Sequence, residues 1–226
     1  MSIAANLNAI KSTLPPHVTL VAVSKTHPVD AIMEAYISGH RFFGENKVQE
    51  LIQKAGQLPC DIQWHMIGHL QTNKIKSIVP FVALIHGIDS LKLLMTVEKE
   101  ASKIGREVDC LLQVHVAEEE TKFGFSPKEL AFVITKEVLD ELKFVRLRGL
   151  MGMATFTDNQ AQIAREFSAL KQLFDHFKAN VMDDNGKFDT LSMGMSDDYL
   201  LAVGHGSTMV RIGSSIFGDR SFPSKV

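Results

Sequence analysis

Lys25 is the residue of this chain whose position most strongly suggests chemistry. It ends residues 20–25, a run in which four apolar residues precede Ser24 and the lysine, and Pro28 follows shortly afterwards. A short apolar run bounded by a turn signal predicts a buried strand. A lysine that loses hydration at the mouth of a pocket becomes a nucleophile toward carbonyl groups. The alternative is a lysine whose charged end simply reaches solvent from a strand end.

Two segments near the C-terminus combine glycine with hydroxyl side chains in a way that suits a phosphate group. They are residues 192–198, SMGMSDD, and residues 211–215, RIGSS. Gly194 and Gly213 allow backbone to approach an anion closely, and Ser214 can add a hydroxyl donor. Ser196 is expected where a helix begins, so that free N–H groups and the helix dipole favour an anion there. Each feature alone is an ordinary turn or cap, but together they indicate a phosphate site.

Arg211 follows two apolar residues within a predicted strand, so its guanidinium is expected to point into the fold. Its charge cannot be removed by deprotonation, and it therefore needs an acceptor. One interpretation is an ion pair with Glu45 or an aspartate, and the other is donation to a ring nitrogen of a bound cofactor. A carbonyl-seeking lysine, a phosphate cradle and an arginine for a ring nitrogen together describe a site for pyridoxal 5′-phosphate (PLP).

Apolar, β-branched runs alternate with amphipathic helical stretches along the chain. Eight strands are predicted at residues 20–25, 42–46, 64–70, 83–88, 110–116, 147–154, 190–195 and 209–217. Helices between them give right-handed crossovers and a parallel sheet, so we expect an α/β fold, a single (β/α)8 TIM barrel. A doubly wound sheet shares the alternation, but the count of eight favours the barrel, as does the lack of a Gly-x-Gly-x-x-Gly after the first strand. No linker interrupts the sequence, so residues 1–226 are assigned to one domain, with residues 1–14 as an outer helix.

In such a barrel the chemistry gathers at the C-terminal ends of the strands. Lys25 is expected at the end of the first predicted strand and Asn46 at the end of the second. The seventh and eighth strands carry the two glycine-serine segments and Arg211. All of these residues would therefore face one pocket.

Composition excludes several classes of function. The 226 residues are 45% hydrophobic and 22% charged, the balance of a globular protein with a large core. A formal net charge of −2 gives no electrostatic basis for binding nucleic acid or an anionic membrane, and no segment approaches the ~20 apolar residues of a membrane span. The N-terminus lacks the pattern of a secretory signal, and two cysteines are too few for a disulfide framework. We therefore expect a cytoplasmic protein.

Six segments carry a resemblance to a known family. They are VAVSK at 21–25, FGENKVQE at 43–50, WHMIGHLQTNK at 64–74, LRGLMGMA at 147–154, LSMGMSDD at 191–198 and GSTMVRIG at 206–213. In this order they resemble the pyridoxal phosphate homeostasis protein family, and taken together they are highly specific. Lys47 and the pair His86-Gly87 depart from the usual family pattern without touching the candidate cofactor residues.

The resemblance implies the barrel of fold-type III PLP proteins, similar to the N-terminal domain of alanine racemase and without that enzyme's C-terminal β domain. Lys25 would form the internal aldimine, Arg211 would face the pyridine nitrogen and Asn46 would line the ring pocket. Ser196, Gly213 and Ser214 would hold the phosphate. The family is associated with carrying or buffering PLP inside cells, and PLP-dependent apoenzymes are candidate recipients.

Physical reasoning favours binding over efficient catalysis. An arginine at the ring nitrogen disfavours ring protonation, which makes the cofactor a poorer electron sink. Related racemases add a tyrosine base from a second domain, and neither Tyr36 nor Tyr199 is an evident replacement. An uncovered barrel mouth would leave the aldimine in contact with water, and the missing dimer interface favours a monomer.

Three other functions stay open at this point. A PLP-dependent amino-acid racemase or lyase of low activity would use the same lysine. A cofactor-free aldolase acting on a phosphorylated sugar would also suit a lysine at a strand end beside a phosphate loop. A metal enzyme is disfavoured, because His65 and His69 on one strand would lie about 13 Å apart, too far to share an ion bound at about 2 Å.

Overall fold

The computed structural model describes residues 2–117, 123–180 and 188–218, which form alternating strands and helices. The strands β1 to β8 are Thr19–Val23, Phe42–Glu45, Gln63–Met66, Leu84–Ile88, Val108–Val114, Val145–Gly152, Thr190–Ser192 and Met209–Ile212. The helices α1 to α10 are Ile3–Thr13, Val29–Ile37, Val48–Ala55, Ile75–Ile78, Leu91–Ile104, Pro127–Val133, Lys136–Glu141, Gln160–Asn180, Tyr199–Gly204 and Ser214–Phe217.

The eight strands pair in chain order and close into a barrel, with β1 beside both β2 and β8. Every one of these pairings is parallel, and β1 is in register with β8 at Val21 and Arg211 and with β2 at Val23 and Gly44. The predicted (β/α)8 barrel is confirmed, and α1 precedes β1 in the chain.

Local sequence signals account for several helix boundaries. Ser126 accepts a hydrogen bond from the Glu129 amide while the Glu129 carboxylate bonds back to the Ser126 amide, a complete capping box before α6. Ser90 caps α5 in a similar way, and Gly105 ends that helix in the left-handed conformation. These contacts satisfy backbone groups that a helix end would otherwise leave unpaired.

Two apolar layers hold the barrel together. Val21, Leu84, Leu111, Met151 and Met209 come from five different strands and pack against one another, which places them inside the barrel. The alternate residues of the same strands pack outward against the helices in a much larger cluster. Side chains two residues apart on a strand point to the same side of the sheet. Arg211 lies two residues after Met209 in β8, so its side chain also points into the barrel.

Several predicted strands are too long at their C-terminal ends. The third was expected to reach residue 70 but β3 ends at Met66, and the eighth was expected to reach residue 217 but β8 ends at Ile212. Residues 214–217 instead form the short helix α10. Leu70 and Ile216 lie beyond these strand ends and are still buried in the apolar cluster, so composition alone places the boundary too late.

Candidate functional site

The ends of β8, β1 and β2 bring three of the sequence-predicted residues to one end of the barrel. Lys25 lies two residues beyond the end of β1 and is half-buried. Asn46 follows β2 directly, and Arg211 lies within β8 opposite Val21. Since β1 stands between the other two strands, the three side chains belong to adjacent positions around the C-terminal mouth.

Arg211 is a buried cation held by neutral oxygens. It is 4% exposed, and its Nη1 donates to the Ser192 carbonyl at 2.9 Å and to Ser192 Oγ at 2.6 Å, while Nη2 donates to the Gly152 carbonyl at 3.1 Å. Burial lowers the pKa of the guanidinium to about 10, so it stays protonated at neutral pH. Among the described residues no carboxylate lies within 4 Å of it, so the ion pair with Glu45 considered from the sequence is wrong.

Behind Arg211 runs a chain of buried polar side chains that sequence reasoning missed. Ser192 Oγ lies 3.1 Å from His86 Nδ1, and His86 Nε2 lies 3.0 Å from His65 Nδ1. Burial lowers the pKa of His65 to about 3 and that of His86 well below its ordinary value, so both rings are neutral at physiological pH. The only sequence signal was a histidine pair in otherwise apolar strands, which does not reveal a connection between β3, β4 and β7.

The hydroxyl groups assigned to the phosphate end do come together. Ser214 Oγ lies 3.1 Å from Ser196 Oγ, and the Gly213 amide donates to Ser196 Oγ at 3.4 Å. Gly194 has a φ of +94°, a left-handed conformation that lets the loop after β7 turn back. Two hydroxyls and a backbone amide thus converge at the ends of β7 and β8.

The expected helix start at Ser196 is wrong. Ser196 lies in a turn, and α9 begins only at Tyr199. The cause is Asp198, whose carboxylate accepts from the Met195 amide at 2.6 Å and closes that turn before the helix begins. Ser196 therefore offers its hydroxyl rather than a helix N-terminus.

Asn46 carries a buried polar atom that no described residue satisfies. Its Oδ1 lacks a hydrogen-bond partner among the described residues. Gly68 packs directly against Asn46, because a Cβ added at Gly68 would lie 2.8 Å from Asn46 Cα and 2.9 Å from Asn46 Cβ. Gly68 is thus needed for the close approach of the loops after β2 and β3, and it holds Asn46 in place.

A buried ion cluster lies on the outer side of β1, next to Lys25. Lys54 Nζ is 2.7 Å from Glu45 Oε1 and donates to the Ser24 carbonyl at 2.8 Å, while Ser24 Oγ donates to the same Glu45 oxygen at 2.6 Å. Burial raises the pKa of Glu45, although Lys54 and Ser24 oppose that rise. Neither Lys54 nor Ser24 was singled out from the sequence.

One side of the barrel mouth carries His69. Its Nδ1 lies 2.8 Å from Asp89 Oδ2, and its ring stacks on Phe123 with 4.3 Å between ring centroids. His65, by contrast, lies inside the barrel. Within the described ranges no group of three His, Cys, Asp or Glu side chains could hold a metal ion.

A cavity of about 500 Å³ lies at the opposite, N-terminal end of the barrel, where Thr19, Gln63 and Thr208 line it. Its charged residues are paired with one another: Asp109 bonds to Arg148, and Arg148 bonds to Asp189. The lysine, the hydroxyl cradle and the loops that approach one another all lie at the other end, which is therefore the candidate site. None of the described helices combines the length and apolar character needed to cross a membrane.

Comparison with known proteins agrees with this geometry. The family model described as alanine racemase, N-terminal domain, matches residues 1–221. A pyridoxal phosphate homeostasis protein of Helicobacter pylori is 42% identical over 204 residues, which cover 89% of this chain and 88% of that protein. The chain belongs to the pyridoxal phosphate homeostasis protein family. The Escherichia coli K12 member of this family is 36% identical over 215 residues, covering 93% of this chain and 89% of that protein.

Solved structures show the same relationship. PipY of Synechococcus elongatus PCC7942 without PLP has a TM-score of 0.89 and 38% identity, covering 96% of this chain and 100% of that one. The same protein with PLP bound has a TM-score of 0.86 at 37% identity, with the same coverage. An alanine racemase from Bartonella henselae is 15% identical with a TM-score of 0.72, and covers 98% of this chain and 61% of the racemase, a likeness of fold. The predicted membership of the pyridoxal phosphate homeostasis protein family is thus confirmed.

Proposed function

We propose that this protein binds PLP at the C-terminal mouth of the barrel, attached through the amine of Lys25, and acts in PLP homeostasis as a carrier or buffer. The observation that carries the proposal is the meeting of three different chemistries at one end of the barrel. A half-buried lysine follows β1, a buried cation without a carboxylate partner among the described residues lies in β8, and two hydroxyls converge beyond β7 and β8.

Each part of the cofactor has a matching group. The phosphate would be bound by three neutral donors that lie close together: Ser196 Oγ, Ser214 Oγ and the Gly213 amide. Asn46, whose Oδ1 lacks a partner among the described residues, would line the ring, and its side-chain amide could donate to the ring oxygen. Arg211 would donate to the ring nitrogen. These residues therefore fit PLP.

The charge of Arg211 favours binding of the cofactor over catalysis with it. When bound, PLP supplies an aldehyde that reacts with amines and a ring that withdraws electrons. Because Arg211 remains protonated up to a pH of about 10, it keeps its own proton and leaves the ring nitrogen unprotonated. An unprotonated ring withdraws electrons weakly, which disfavours removal of an α-proton from a bound amino acid.

The positions of the two tyrosines also support a role in binding rather than catalysis. The Tyr36 hydroxyl donates to Asp61 at 2.8 Å, and the Tyr199 hydroxyl lies 3.1 Å from Thr13 Oγ1 on the outside of the barrel. Both are engaged away from the mouth, so neither serves as a second base. We expect exchange of the α-proton of D- and L-amino acids in deuterated buffer to stay below about 1 s⁻¹, and a faster exchange would favour the racemase or lyase.

Relatives support the physiological part of the proposal. Proteins from Helicobacter pylori and Escherichia coli carry the name pyridoxal phosphate homeostasis protein, and PipY has been solved with PLP bound. PLP-dependent apoenzymes are the recipients we propose. We also propose a single domain over residues 1–226, a monomeric state and a cytoplasmic location. Sedimentation of the purified protein tests the monomeric state, and cell fractionation tests the location.

The visible spectrum tests the proposal directly. Wild-type protein incubated with PLP and freed of excess cofactor should be yellow, whereas Lys25→Ala should lose the visible band. Lys47→Ala is the matched control, because Lys47 is an exposed lysine one residue beyond Asn46. Reduction with borohydride should leave the cofactor's mass on the peptide that contains Lys25. A colourless wild type, or a Lys25→Ala variant as yellow as the wild type, would contradict the assignment.

A further inference from the structure

The backbone immediately after Lys25 is strained. Thr26 has a φ of +68° and is the one non-glycine residue in the described part of the chain with a positive φ. A β-branched side chain rarely adopts this left-handed conformation, because its Cβ crowds the neighbouring carbonyl. Such a conformation persists only where the surrounding structure enforces it.

Two residues of α3 hold the turn from the outer side of the barrel. Glu50 Oε1 accepts from the Thr26 amide at 2.5 Å, and the same oxygen accepts from Lys54 Nζ at 2.7 Å. Lys54 also donates to the Ser24 carbonyl at 2.8 Å. The Lys54 side chain is only 6% exposed, so its bond to the Ser24 carbonyl is shielded from water, whereas Glu50, at 21% exposed, binds the Thr26 amide nearer the surface. The backbone groups on both sides of Lys25 are thus bound by one pair of side chains.

This arrangement matters because β1 ends at Val23, two residues before Lys25. Within a strand the alternation of side chains would direct residue 25 to the same side as residues 21 and 23. Beyond the strand that rule no longer applies, and the direction of the Lys25 side chain depends on how the turn is held.

We propose that Glu50 and Lys54 are positioning residues for Lys25: their hydrogen bonds to the Thr26 amide and the Ser24 carbonyl hold the strained turn that presents the Lys25 amine to the carbonyl group of the cofactor. The inference rests on the proposed function. It predicts that Glu50 affects the covalent part of PLP binding and leaves the non-covalent part unchanged.

The test compares two ligands that differ at the reacting group. Pyridoxamine 5′-phosphate has an amine where PLP has its aldehyde, so it occupies the site without attaching to Lys25. Glu50→Ala should weaken PLP binding by about tenfold, the effect of losing a charged hydrogen bond. It should leave the affinity for pyridoxamine 5′-phosphate within about twofold, the usual range for a peripheral change. Glu34→Ala is the matched control, because Glu34 Oε1 accepts from the Ile3 amide at 2.8 Å, between α1 and α2.

A second substitution tests the role of the strain itself. Glycine adopts a positive φ readily, so adding Thr26→Gly to Glu50→Ala should restore much of the lost PLP affinity and of the visible band. If Glu50→Ala proves unstable, Glu50→Gln keeps the side-chain volume and is measured with the same two ligands, with a smaller selective loss expected.

Three results would overturn the inference. If Glu50→Ala lowers the affinity for both ligands equally, Glu50 only supports the fold. If it leaves the affinity for PLP unchanged, Glu50 is not needed to position Lys25. If Thr26→Gly does not restore PLP affinity, strain in the turn plays no part in binding. Failure of the proposed function would appear differently, as a Lys25→Ala variant that binds PLP like the wild type.

Discussion

Acidification should destabilise this barrel, because three of its histidines are buried as neutral rings. Burial is the main cause that lowers the pKa of His40 to about 4, that of His65 to about 3 and that of His86 well below its ordinary value. In the unfolded chain each would titrate near the ordinary value of about 6.5. Below that pH the unfolded chain therefore binds more protons than the folded protein, and stability falls as the pH falls.

The size of the effect follows from these pKa values. One pKa unit corresponds to about 1.4 kcal/mol, so at about pH 5 His40 and His65 each cost about 2 kcal/mol relative to about pH 8. Together these two cost about 4 kcal/mol, a large part of the ~5–15 kcal/mol by which a domain is stable, and His86 acts in the same direction. Burial raises the pKa of Glu45 and of Asp198, and these two carboxyls recover part of the loss, because the folded protein protonates them more readily.

His40 gives the clearest test because it lies away from the candidate site. Its Nε2 is 2.8 Å from the Phe42 carbonyl, a bond that a glutamine amide can also make. Urea unfolding of the cofactor-free protein, followed by fluorescence of Trp64, which is 3% exposed and the single tryptophan, should show the loss of stability between about pH 8 and pH 5. In His40→Gln that loss should shrink by about 2 kcal/mol.

His17→Gln is the control, since His17 is exposed on the surface. It should leave the pH dependence of the wild type unchanged. The reasoning is refuted if the wild type loses less than about 2 kcal/mol over this range, or if His40→Gln loses as much as the wild type.

Two further substitutions examine the packing behind the site. Ser192→Ala removes the hydroxyl that bonds both a buried guanidinium and a buried imidazole, so we expect urea unfolding to show a loss of about 2 kcal/mol, together with weaker PLP binding. Ser168→Ala is the control, because it removes a hydrogen bond between Ser168 of α8 and His205, which follows α9. It should cost about 1 kcal/mol and leave PLP binding unchanged, and equal effects of the two substitutions on PLP binding would contradict the role of Ser192. Gly68→Ala should cost about 1–3 kcal/mol and weaken PLP binding, because its Cβ would meet Asn46. At Gly56 the nearest atom to an added Cβ is 3.6 Å away, so Gly56→Ala is the matched control. A Gly68→Ala variant as stable as Gly56→Ala would contradict the close approach of Gly68 to Asn46.

Much of the fold could be predicted because its signals are local. Alternating apolar runs, caps such as that of Ser126 and the turn glycines each depend on a few neighbouring residues. The count of eight strands then led to the barrel, and the barrel led to the C-terminal ends of the strands as the place to look for chemistry. Boundaries were less accurate, as at β3 and β8, because residues outside the strands, such as Leu70 and Ile216, are buried in the apolar core as well.

The sequence by itself determined which residues could do the chemistry: a lysine at the end of the first predicted strand, hydroxyls and glycines near the ends of the seventh and eighth, and an arginine in the last. Only the tertiary structure decided how they are supported. Arg211 bonds to Ser192 and Gly152 instead of Glu45, and Glu50 binds the turn after Lys25. Such contacts join residues that lie 19, 59 and 24 positions apart. Hydrogen bonds form between atoms brought within about 3 Å by the closed barrel, and no local pattern in the chain specifies which atoms those are.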